Sequence, residues 1–156
     1  MARRVDKRLA ICSFLIAVGL VVVVIGVLRG ITGKAAENLP SLIQAVEPVP
    51  GAINVPNQSR IFVDLAAGYT GVLVVDGVEL QTISEDELRN VAPGEQAKQA
   101  LTTVFAEGNA TLTFQPVKGA PIESLSEGPH TASVIYWKLT DDRNASRSFT
   151  WHFTVV

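Results

Sequence analysis

Two kinds of hydrophobic pattern divide the chain. Across residues 9–28 the sequence LAICSFLIAVGLVVVVIGVL holds twenty residues without a charge. At about 1.5 Å per residue a helix of that length spans about 30 Å, the thickness of a bilayer's hydrocarbon core, and the run predicts a transmembrane helix. After Ser59 the period changes to two. Ile61, Val63 and Leu65 alternate with Phe62 and Asp64, the mark of a half-buried strand. Gly68 and Gly71 are expected to bracket the next turn. Residues 72–75 and 78–80 are β-rich runs separated by Asp76-Gly77. That pair predicts a type I′ hairpin, because both central residues need positive φ.

Residues 83–103 break the alternation. Ser84 and Glu87 have the spacing of a capping box, Leu88 and Val91 form an apolar face, and Pro93-Gly94 ends the helix. Ala97, Ala100, Leu101 and Val104 repeat the helical spacing, so the segment reads as a helical insertion in a β scaffold. Strand signals resume at 111–114 and 122–125 and are clearest at 131–139 and 147–155, which flank the polar turn 140–146. On the last strand Phe149, Trp151, Phe153 and Val155 share one face, while Thr150, His152 and Thr154 share the other. One face in and one face out is how the sheets of an antiparallel sandwich behave. Short strands about 8–15 residues apart point to an all-β fold. Pro48, Pro50 and Pro56 surround residues 52–55, which suit an edge strand because proline lacks a ladder donor. The expected core includes Ile61, Val63, Val134, Trp151 and Phe153.

Charge adds an orientation. Residues 1–8 hold Arg3, Arg4, Lys7 and Arg8 against Asp6, a balance of +3, whereas residues 35–156 hold seven Lys/Arg against fourteen Asp/Glu, a balance of −7. The basic flank predicts a cytoplasmic N-terminus. The acidic remainder repels phosphate backbones and argues against nucleic acid as a partner. A cleaved signal peptide is the competing reading. Signal hydrophobic cores run about 7–15 residues and end near a small-residue cut site. This run is longer, and the first such pair, Ala35-Ala36, lies well past it. A lipoprotein signal is disfavoured because bulky Ile11 precedes Cys12. The expected organisation is therefore a cytoplasmic tip (1–8), a transmembrane helix (9–28), a juxtamembrane connector (29–44) and an extracytoplasmic sandwich (45–156). Cys12 is the only cysteine and falls in the membrane run, so the ectodomain must be stabilised by its core rather than by disulfides.

The stretch Pro48-Val49-Pro50-Gly51-Ala52-Ile53-Asn54-Val55-Pro56, followed by a strand at 60–65, resembles the opening of bacterial Ig-like domains. The segment 125–132 (LSEGPHTA), followed by a long strand, a polar hairpin and an aromatic strand, is similar to their C-terminal half. The resemblance covers about residues 45–156, with a gap at 83–103. It implies an Ig-like antiparallel β-sandwich with a short helical insertion, preceded by one N-terminal transmembrane helix. Ig sandwiches commonly place a tyrosine at the corner before the penultimate strand, where its hydroxyl ties the turn to the backbone. His130 stands there instead, and an imidazole can supply the same bond. Copper-binding periplasmic proteins of the CopC type share such a sandwich and use histidines near the mature N-terminus. Residues 35–60 contain no histidine, so that activity does not carry over.

Candidate chemistry is sparse. His130 and His152 are the only histidines, and a corner residue plus an exposed strand residue explains them better than a metal pair. Asp141, Asp142 and Asn144 lack the loop length and closing acid of a calcium site. No nucleophile motif or phosphate-cradling glycine loop is present, so no catalytic residue, cofactor or metal site is assigned. Asn57, Asn109 and Asn144 open formal glycosylation sequons, read as coincidence in a chain of bacterial style. Alternation places Tyr136 and Trp137 on opposite faces, and an exposed aromatic there is a candidate partner contact. Cys12, Gly19, Gly26 and Gly30 line one face of the membrane helix, and Gly26 to Gly30 forms a G-x-x-x-G, a surface for close helix packing. The leading expectation is a non-catalytic, membrane-anchored interaction module. It would be an accessory or assembly subunit that meets integral membrane proteins through its helix and a protein surface outside. An extracytoplasmic ligand- or metal-handling domain is second, and an unrecognised enzyme third.

Overall fold

A computed structural model describes residues 16–21, 23, 39–90 and 101–156. The chain divides into two compact units, Met1–Lys34 and Ala35–Val156. In the first, residues 16–21 and 23 are helical (α1) and exposed. No helix among the described residues is long and apolar enough to cross a membrane. The rest of the expected span 9–28 lies outside the described residues, as do Cys12, Gly26 and Gly30. Gly19 sits on α1 with open space where a Cβ would project.

The second unit is mostly β, with two sheets forming a sandwich. One sheet has five strands in the order β1 (Ile43–Glu47), β2 (Ile61–Leu65), β7 (Thr111–Phe114), β6 (Thr103–Ala106) and β5 (Thr82–Ser84). The other has four, in the order β4 (Val78–Glu79), β3 (Tyr69–Val75), β8 (Gly128–Lys138) and β9 (Arg147–Val155). Period-two alternation dictates which side chains fill the space between them. Ile61, Val63 and Leu65 of β2, Leu112 and Phe114 of β7, Leu73 and Val75 of β3, Val134 of β8 and Trp151 and Phe153 of β9 are all buried. All five expected core residues lie in this layer. β3 packs across the sandwich against β5, β6 and β7.

The Asp76-Gly77 hairpin forms as expected, with φ of 49° and 81°. The capping box also forms: Ser84 Oγ accepts the Glu87 N–H at 3.1 Å, and Glu87 Oε2 accepts the Ser84 N–H at 3.2 Å. It opens the short helix α2 (Glu85–Asn90).

Several expectations meet a different structure. The sandwich is not wholly antiparallel, because β5 and β6 pair in parallel. Parallel neighbours require a crossover rather than a tight turn, and α2 lies between these two strands in the chain. The second helical lean mostly lies outside the described residues, and its last member, Val104, belongs to β6. Residues 122–124 form bends and Leu125 is irregular instead of a strand, although Leu125 is buried and donates its N–H to Asn57 O at 2.8 Å. Gly71 stands within β3 instead of closing a turn. A Cβ there would lie 2.5 Å from the Ile135 carbonyl oxygen of the paired strand. Strand β1 starts at Ile43, which is buried. Residues 52–55 run beside β9, joined by the parallel bridge Val55–Val155 and by the Thr154 N–H bond to Ala52 O, but they do not extend into a full strand.

Candidate functional site: a groove beside Trp137

Strand alternation settles the two aromatics of β8. Tyr136 points inward, is buried, and meets Tyr69 edge-on at 6.3 Å, so the partner-contact expectation fails for it. Trp137 points outward opposite Thr70 and is half-buried. It borders an open groove of about 430 Å³. The groove forms where the chain leaves β4 and crosses to the other sheet at β5. Leu80 is buried and anchors that crossing, while Glu79 and Gln81 on either side remain exposed. Gly71 lies buried beneath, and its carbonyl accepts the Thr82 hydroxyl at 3.4 Å. Phe105 of β6 and Glu107 complete the far wall.

The polar turn after β8 reaches back to this groove. It contains one turn of 3₁₀ helix, Arg143–Ala145. Arg143 Nη2 donates to Glu79 Oε2 at 2.7 Å, and the guanidinium lies 5.9 Å from the centroid of the Trp137 ring, within cation–π range. The hydrogen bond from Arg143 holds the Glu79 carboxyl below its ordinary range and raises the guanidinium in turn. Both groups are about half exposed, so salt screens the pair. Asp141, Asp142 and Asn144 lie on the same turn, all exposed.

The histidines do not come together. His130 points inward and stacks on Phe153 at 5.7 Å, whereas His152, opposite Thr131, is exposed on the other face. His130 supplies the corner bond expected of it. Its Nε2–H donates to Ser126 O at 2.6 Å, and its Nδ1–H donates to Asp76 Oδ2 at 2.7 Å. Asp76 Oδ1 also accepts the Thr131 N–H at 2.9 Å. A carbonyl and a carboxylate both accept, so the doubly protonated imidazolium satisfies both bonds. Burial opposes that charge, but the bonds to Ser126 and Asp76, together with the Asp76 charge, outweigh it and raise the His130 pKa. Among the described residues no group of three or more His, Cys, Asp or Glu side chains is placed to hold a metal ion. The sequon residues Asn57, Asn109 and Asn144 are exposed.

Neither the Arg143–Glu79 seat nor the Asp76–His130 link was visible in the sequence. The partners lie 64 and 54 residues apart, and only the strand register joins them. The outward Trp137 was the one signal available.

No protein-family model matches the chain, and no curated protein matches it. Among solved structures, CopC from Methylosinus trichosporium OB3b is similar at 12% identity and a TM-score of 0.43, over 74% of this chain and 93% of that one.

Proposed function

We propose that the chain is a non-catalytic interaction module, held at the cell membrane by residues 9–28 with its N-terminus cytoplasmic and its β-sandwich extracytoplasmic. In this reading it serves as an accessory or assembly subunit of a membrane complex. The observation that carries the reading is the groove beside Trp137. Binding surfaces concentrate their energy in a few large aromatics set in pockets, and Trp137 at the edge of this groove has that character. The charge step across residues 9–28 supports the orientation. A second reading, an extracytoplasmic ligand- or metal-handling domain, draws on the same concavity, since small-ligand sites occupy about 300–1,000 Å³. Neither histidine lines the groove.

The test is purification of the full chain from mild detergent, with the Trp137→Ala variant in parallel. The expected result is a stoichiometric membrane-protein partner with the wild type and its loss with the variant, whose melting temperature stays close to wild type. A chain that purifies alone and carries stoichiometric metal by elemental analysis would overturn the proposal in favour of the second reading.

A further inference from the structure

Arg143 sits on an exposed turn, where water could solvate its whole guanidinium. It folds back instead, onto the Trp137 face and against the Glu79 carboxylate. Two wall residues of the groove thus already hold one cation between a π face and an anion, although Arg143 itself does not line the space. The other charged residue of the groove wall among the described residues is acidic too: Glu107 lines the same space, and no described lysine or arginine does. The surrounding domain carries the balance of −7 from residue 35 onward. The two carboxylates and the π face of the wall favour a positive occupant over an anionic one.

The seat is also exchangeable. The Arg143 and Glu79 side chains are 50% and 48% exposed, and an exposed ion pair with one cation–π contact is weak enough to open on its own. Arginine fits it better than lysine, because a planar guanidinium can stack on the indole and donate to a carboxylate at once.

We propose that the Trp137 groove binds a basic segment of a protein partner, seating an arginine on Trp137 and Glu79, and that Arg143 is an internal plug which this arginine displaces. The inference rests on the interaction-module reading and names the chemistry of its partner. A plug that occupies the seat lowers the apparent affinity by the fraction of time the seat is closed, so removing the plug tightens binding without adding a contact.

The test uses the full chain in detergent micelles at low salt and an acetylated, amidated peptide Gly-Arg-Gly-Arg-Gly, followed by the Trp137 indole signal in NMR. Arg143→Gln should bind the peptide about tenfold more tightly than wild type, the gain expected if the plug closes the seat most of the time. Adding Glu79→Gln should reverse the gain, and the same peptide with citrulline for arginine should bind neither protein. Equal affinity of wild type and Arg143→Gln, equal binding of the citrulline peptide, or no binding to either protein would overturn the inference. Such a failure, with membrane partners still lost from Trp137→Ala, leaves the interaction module intact and removes only its cationic ligand.

Discussion

His130 shows what a buried polar side chain requires of its surroundings. It is 6% exposed, yet each ring nitrogen donates to an acceptor that the fold holds in place. One acceptor comes from the type I′ turn and the other from the corner before β8. The bonds to Ser126 and Asp76 raise its pKa against the opposing effect of burial. A raised pKa contributes stability fully below the unfolded value of about 6.5, and that contribution is lost as pH rises through the higher folded value. Thermal melts of the full chain between about pH 6 and pH 9 should therefore show wild type losing stability relative to Asp76→Asn. Asparagine tolerates the positive φ at that turn, so the variant removes the charge without breaking the hairpin. Parallel pH responses of the two proteins would mean that His130 is not held as an imidazolium by Asp76.

Where local chemistry is complete within a few residues, the elements were legible in advance. Asp76-Gly77, the Ser84–Glu87 box and the alternation of β9 each contain their own reason for forming. Elements that depend on distant partners were not legible. β5 is three residues long and exists because β6 lies beside it, and residues 122–125 have strand-like composition but form no strand. Gly71 belongs to the second kind. Its spacing from Gly68 suggested a turn, but the requirement comes from the Ile135 carbonyl across the β3–β8 pair. That oxygen is backbone, so it cannot rotate away from a new methyl group. Gly71→Ala should cost about 1–3 kcal/mol, as overpacking does, by urea or thermal unfolding. Thr70→Ala, on the outward face of the same strand, is the control and should change little. Equal tolerance of both substitutions would show that β3 and β8 shift apart cheaply.

At the scale of the whole molecule, the proposed function asks two separate surfaces to meet one complex. In that reading the groove offers an aromatic and a carboxylate outside the membrane, and the expected line of Cys12, Gly19, Gly26 and Gly30 offers close approach within it. Two weak sites on one chain bind far better than either alone, because the first contact fixes the effective concentration of the second. A tether needs only hydrophobic length, whereas a recognition helix also needs small residues on one face. Replacing Gly19 and Gly26 together by Leu preserves the first property and removes the second. The double variant should insert into membranes as wild type does, with a C-terminal reporter active only outside the cytoplasm, yet lose its partners on detergent extraction. Trp137→Ala alone should leave a residual fraction bound through the helix, and the triple variant should leave none. Full retention of partners by the Gly19→Leu, Gly26→Leu protein would reduce residues 9–28 to a plain anchor and place all recognition on the sandwich.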